Sequence, residues 1–114
     1  MSKPYTPAIA SNGTLYVSGQ IGLDPASGQL VSGGVIAELK QIMQNLLVLL
    51  KQHNAGYDDL LAVTIYLQSM DDYKAVNEEY VTYFSKRLPT RTCISVLGLP
   101  FGAKIEITAT AEVK

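Results

Sequence analysis

The chain has 114 residues, 47% of them hydrophobic, and a formal net charge of −1. That length fits a single domain over 1–114, and the apolar content excludes a disordered chain. The nine Lys and Arg residues are scattered and leave no basic field for a nucleic-acid backbone, while one cysteine and one histidine supply neither a disulfide nor a zinc-ligand set.

The opening Met1-Ser2-Lys3-Pro4-Tyr5 lacks the apolar stretch of a signal peptide. The longest uninterrupted apolar run, Leu46–Leu50, falls far short of the roughly 20 residues a membrane span needs. A reduced, cytoplasmic protein with no membrane or nucleic-acid partner is the expectation.

Residues 8–19 read as a hairpin, because Asn12-Gly13 is a strong two-residue turn signal and Leu15 and Val17 alternate with Tyr16 and Ser18. Residues 20–34, with Gly22, Gly28, Gly33 and Gly34, read as a loop with room for a short ribbon around Ser27-Gly28. A helix is predicted over 34–53, with Val35, Ile36, Leu39, Ile42, Met43, Leu46, Leu47 and Leu50 on one face. Val48 and Leu49 widen that stripe and predict cover on more than one side. Asn54 and Gly56 supply its stop signals, and His53 should lie at the surface beside its end.

A strand is predicted over 60–69, with Leu61, Val63, Ile65 and Leu67 facing one way. Asp71 or Asp72 should cap a second helix running to about Lys86, with Tyr73, Val76, Tyr80, Tyr83 and Phe84 buried. Strands follow over 91–97 and 104–113, joined at Gly98-Leu99-Pro100-Phe101-Gly102. The order β-β-α-β-α-β-β predicts an α+β sandwich with both helices on one face of the sheet.

The other sheet face is expected to carry Tyr16, Ser18, Thr64, Tyr66, Cys93, Ser95, Glu106 and Thr108. Small hydrogen-bonding side chains, rather than Lys and Glu, suggest a face that meets another subunit in a closed ring. The alternative is an ordinary solvated sheet face.

Chemistry concentrates near the C-terminus. If the strands over 91–97 and 104–113 pair antiparallel about Pro100, Arg91 and Cys93 share a face with Glu106 and Thr108. An arginine beside a carboxylate is commonly only an ion pair. At a strand mouth next to Pro89, its guanidinium can also grip a ligand carboxylate in bidentate fashion. The Cys93 thiol has no base near it in sequence, so a small half-buried strand residue is the simpler reading. Ser18-Gly19-Gln20 ends a strand at a glycine-rich loop, where a hydroxyl and an amide can bind a carboxylate. Asn77 is either an exposed polar residue or a hydrogen-bonding strut, and Tyr80 a core residue.

Taken in order, these segments resemble the RidA/YjgF family of enamine/imine deaminases. The resemblance runs through Pro4-Tyr5-Thr6-Pro7-Ala8-Ile9, Tyr16-Val17-Ser18-Gly19-Gln20-Ile21 and Val76-Asn77-Glu78-Glu79-Tyr80. It is most specific in Leu88-Pro89-Thr90-Arg91-Thr92-Cys93, Leu99-Pro100 and Lys104-Ile105-Glu106-Ile107. It implies a chorismate-mutase-like fold, a homotrimer whose strands form a central barrel, and ligand clefts between subunits. It also implies that Arg91 binds the carboxylate of a 2-imino acid. Glu106 and Cys93 would help place a water, the cysteine largely through its backbone. Tyr5, Ser18, Gly19 and Asn77 match further cleft positions.

Three departures stand out: the stretch before Tyr5 is short, so the opening strand is missing or abbreviated; Pro7 replaces a common glutamine; and the segment between Phe84 and Pro89 is shorter by a few residues. The implied reaction hydrolyses 2-imino acids released by pyridoxal-phosphate enzymes to 2-keto acids and ammonia, with no cofactor. A non-catalytic protein that senses small carboxylates or keto acids in the same clefts is the alternative.

Overall fold

The computed structural model describes residues 3–114. Its strands are β1 (Ala8–Ser11), β2 (Thr14–Gln20), β3 (Leu60–Leu67), β4 (Thr90–Ser95) and β5 (Ile105–Glu112). Two helices, α1 (Val35–Lys51) and α2 (Tyr73–Tyr80), lie between β2 and β3 and between β3 and β4. The element order β-β-α-β-α-β-β and the α+β class are those the sequence predicts. The strands form one mixed sheet in the spatial order β1-β2-β5-β3-β4.

The β1–β2 hairpin turns on Asn12 and Gly13 at φ 50° and 81°. Positive φ at both central residues gives the twist that matches antiparallel strands. Within the following loop, a bridge between Leu23 and Leu30 forms the short ribbon around Gly28.

The pairing of β4 corrects the expected β4–β5 hairpin. Strand β4 runs parallel to β3, and β3 separates it from β5. The cause is α2, which carries the chain back along the sheet after β3, so the next strand restarts in the same direction. The Gly98–Gly102 connection then steps over the end of β3 instead of folding back. The Val96 amide donates to Leu67 O at 2.9 Å and the Gln68 amide to Lys104 O at 3.0 Å, so both flanking chains grip that end.

The core lies between the sheet and the helices. Leu15 and Val17 of β2 meet Ile105, Ile107, Ala109 and Ala111 of β5 and Val63, Ile65 and Leu67 of β3. From α1 come Leu39, Ile42, Met43, Leu46 and Leu50, the helical stripe the sequence predicts, and from α2 come Val76 and Tyr80. Full burial of one such aliphatic side chain contributes about 1.5–3 kcal/mol.

Several details differ from expectation. A register shift between Leu60 and Ala62 makes Leu60 the core residue and turns Leu61 away. Val48 is exposed, so α1 is covered on one side in the single chain. Helix α2 ends at Tyr80, short of Lys86, and a 3-10 turn over Val81–Tyr83 follows. Asp72 takes the N-cap position of α2, as expected, but makes no side-chain bond there; Ser69 caps the 3-10 turn over Met70–Asp72 that leads into the helix, its hydroxyl accepting from the Asp71 amide. Beyond α1, Asn54 stops the helix at φ 57°, and His53 is half-buried with Nδ1 3.2 Å from Leu49 O. No helix among the described residues is long and apolar enough to cross a membrane.

One buried polar residue went unnoticed in the sequence. Glu38 is only 3% exposed on the sheet-facing side of α1, and its Oε1 accepts from the Lys104 amide at 2.8 Å. Gly22 lies against it: a Cβ there would sit 2.9 Å from both the Cα and the carbonyl oxygen of Glu38. Those are backbone atoms and cannot swing aside. Gly22→Ala is therefore expected to destabilise by about 1–3 kcal/mol through overpacking. Urea titration should show a lower midpoint with an unchanged slope.

Candidate active site

The parallel register places Arg91 beside Val63 and Cys93 beside Ile65, so both side chains emerge on the helix-covered face of the sheet. Helix α2 runs over them. Tyr73, Asn77 and Tyr80 recur at four- and three-residue steps and share one helical face. Arg91 Nη1 donates to Asn77 Oδ1 at 2.7 Å, and Nη2 approaches the Tyr73 hydroxyl at 3.4 Å. The guanidinium carbon stands 5.3 Å from the Tyr80 ring centroid and 5.7 Å from that of Tyr73, within cation–π range. Every one of these partners is neutral. Among the described residues, the side chain is oriented without its charge being matched.

The neighbours keep that character. Burial pushes the Tyr80 phenol up to about 12, and the Arg91 charge offsets only part of that. Burial also raises the Cys93 thiol, again with Arg91 pulling less strongly the other way. A thiol raised in this way is protonated at neutral pH and is a poor nucleophile.

Glu106 belongs to the opposite face. It pairs with Tyr66 across the β3–β5 ladder, while its neighbours Ile105 and Ile107 point into the core. Where β2 and β5 lose register between Val17 and Gln20, Gly19 comes against Glu106. A Cβ on Gly19 would collide with Oε2 of that carboxylate. Burial raises the Glu106 carboxyl above its ordinary value. Ser18 Oγ donates to Thr6 O at 2.6 Å and the Ser18 amide to Pro7 O at 2.9 Å, tying the segment that carries Tyr5 to β2. Tyr5 is exposed, and the Lys3 Nζ stands 5.9 Å above its ring.

This arrangement corrects the expectation that Arg91 and Cys93 share a face with Glu106 and Thr108. Placing β3 between β4 and β5 reverses the parity, so the sheet separates the two groups. Cys93 and Ser95 likewise leave the open face, which instead shows Tyr16, Thr64, Tyr66, Thr108 and Thr110, with Ile94 exposed on β4. An Arg91–Glu106 ion pair within one chain is excluded by the same geometry. Asn77 resolves as the strut. The rings of Tyr73 and Tyr80 around Arg91 were missed, although their spacing with Asn77 on one helical face was there to be read. Tyr73, predicted as buried, is 38% exposed.

Comparison with known proteins gives the lineage. The family model described as Endoribonuclease L-PSP matches residues 1–113. The chain belongs to the RidA/YjgF family. Among its relatives is a Mus musculus protein named 2-iminobutanoate/2-iminopropanoate deaminase, 45% identical over 108 residues, which are 95% of this chain and 80% of the relative. The Homo sapiens protein of the same name is 44% identical, with 95% and 79% covered. The solved structure of YyfA from Yersinia pestis, described as belonging to the conserved Rid protein family, superposes with a TM-score of 0.93. It is 35% identical, covering 96% of this chain and 88% of that one.

Within this RidA/YjgF member, the environment of Glu106 can be tested alone. A raised carboxyl disfavours the folded state once it ionises. Its contribution to stability is best below the ordinary carboxyl value of 4.5 and declines as pH rises through the raised one. Glu106→Gln should therefore melt above the wild type at pH 7, with the gap closing on acidification. In Gly19→Ala the new methyl should push the carboxylate towards water, and a ¹³C NMR titration should find the Glu106 midpoint lowered in a folded protein.

Proposed function

We propose that this chain hydrolyses 2-imino acids to 2-keto acids and ammonia. The observation that carries the reading is Arg91: a half-buried guanidinium, held by two hydrogen-bonding groups and two rings, all of them neutral. A fork oriented but left unneutralised is suited to an external carboxylate. The two deaminase relatives support the choice of a 2-imino acid as the owner of that carboxylate.

The overall change is R-C(=NH)-COO⁻ plus H₂O to R-C(=O)-COO⁻ plus NH₃. Arg91 fixes the carboxylate and so places the adjacent C=N carbon. Glu106, with its raised carboxyl, takes a proton from water as the oxygen attacks that carbon. It returns the proton to nitrogen, giving the carbinolamine; Glu106 then passes the carbinolamine's hydroxyl proton to the same nitrogen as the C=O bond forms and the C–N bond breaks, releasing ammonia. Positioning and general acid–base help suffice, because imines already react with water unaided. The Cys93 thiol stays out of the bond changes, and its backbone borders the site. Ser18, Gly19 and Tyr5 line the Glu106 side of the cleft.

Since one chain holds the Arg91 and Glu106 groups on opposite faces, the cleft is completed by a second copy. The open face of Tyr16, Thr64, Thr108 and Thr110 meets its counterparts in a homotrimer, which we place in the cytoplasm. Hydrolysis of RNA, the chemistry in the family model's description, is disfavoured by a net charge of −1 with scattered basic residues.

Light scattering should give about three times 12.3 kDa; a stable monomer would remove the composite cleft. In a coupled assay, a threonine dehydratase or amino-acid oxidase generates the imine and keto-acid release is followed. Arg91→Ala should lower kcat/KM roughly 30- to several-thousand-fold, equivalent to about 2–5 kcal/mol. Lysine should rescue poorly, because a point charge does not reproduce the fork. Cys93→Ala should keep most activity. A folded, trimeric Arg91→Ala protein with wild-type hydrolysis would defeat the proposal. Wild-type protein that binds a keto acid without turnover would favour the sensing alternative.

A further inference from the structure

We propose that Glu38 is the positioning residue for Glu106: from inside the core it fixes the start of β5 by accepting the Lys104 amide, and so sets where the Glu106 carboxyl rests against Gly19. The inference rests on the reading of Glu106 as the proton-transferring group.

Glu38 is an unusual occupant of its place. It sits on α1 next to Leu39 and is 3% exposed. Burying a carboxyl among aliphatic side chains is costly unless its oxygens find donors. The donor it finds is not on its own helix. The bond spans 66 positions to the Lys104 amide, directly before β5. Lys104 in turn accepts from the Gln68 amide, so this residue locks the beginning of β5 to the end of β3.

The Glu38 backbone also meets the segment that follows β2, three residues after Gly19. Gly22 packs on the Glu38 backbone, too close for any side chain, and its carbonyl accepts from the Val31 amide at 2.9 Å. One turn of α1 thus registers two chain segments. Glu106 lies two residues beyond Lys104, and Gly19 three residues before Gly22. Their mutual contact, in which a Cβ has no room, depends on both segments being held from one point. Displacing reacting groups by about 1 Å can cost on the order of 100-fold in rate even from a distant substitution.

Carboxylate binding belongs to Arg91 on the opposite face, so loss of the Glu38 acceptor should act on kcat and spare KM. Glu38→Ala is expected to lower kcat roughly 10- to 100-fold with KM within about twofold. In a ¹³C NMR titration its Glu106 midpoint should fall towards the ordinary glutamate value. Glu38→Gln keeps an acceptor oxygen and should restore both readings. The proposal is overturned if folded Glu38→Ala keeps wild-type kcat and Glu106 titration, or if kcat falls only with the folded fraction.

Should Glu38→Ala fail to fold, Glu38→Asp withdraws the acceptor by one methylene and takes its place in both measurements. Hydrogen exchange of the wild-type Lys104 amide adds an independent check: protection comparable to the β5 ladder is expected, and exchange as fast as at the loop residue Gly98 overturns the pin. The titration and exchange readings involve no imine. A wild type without deaminase activity would refute the proposed function while they still decide the role of Glu38.

Discussion

Parallel pairing of β4 with β3 is the constraint on which the rest of this structure depends. Once α2 returns the chain to the start of the sheet, β4 must run beside β3 in the same direction, and the helix must lie over it. Arg91 is then enclosed by Tyr73, Asn77 and Tyr80, because these are the residues on the underside of that helix. The last strand has only the other side of β3 left to occupy. It pairs there antiparallel and turns Glu106 to the open face. A single topological choice so decides what surrounds the arginine and where the acid is.

The two groups that could carry chemistry share an electrostatic feature despite lying on opposite sides of the sheet. Arg91 is held by neutral partners, and the Glu106 carboxyl is raised by burial. In an ordinary surface ion pair each would have neutralised the other at small net gain. Kept apart by the thickness of a β-sheet, each retains a property useful towards a ligand: an unmatched positive fork and an acid able to hold and release a proton. The separation also ties the proposed function to the proposed assembly, since within one chain the sheet keeps the two groups from a single ligand.

Rigid support lies behind each half. On one face, two aromatic rings and an amide leave the guanidinium little freedom. On the other, the contact of Gly19 with Glu106 tolerates no side chain, and the segments bearing them converge on Glu38. Such support is made of backbone amides and close approaches, not of residues that look functional.

The sequence by itself determined the order of the elements and the apolar faces of α1 and β5. Period-two alternation in 105–112, helical periodicity through Leu39, Ile42, Met43, Leu46 and Leu50, and the Asn12-Gly13 turn each reflect local geometry that a short segment imposes on itself. The candidate residues Arg91, Glu106, Gly19 and Asn77 were legible too, because unusual residue types mark strand mouths and glycine-rich bends, and the family resemblance assigned them. Which of them face each other was not legible. That depends on strand order, and strand order is settled by how α2 packs and how the Gly98–Gly102 connection crosses β3, contacts between residues far apart in the chain. Adjacent strands in sequence suggested a hairpin, and the hairpin parity put Arg91 and Glu106 together. Inserting β3 between them inverted the parity. The buried Glu38 escaped for the same reason: its partner is the Lys104 amide, and a backbone amide at that distance leaves no mark in the sequence.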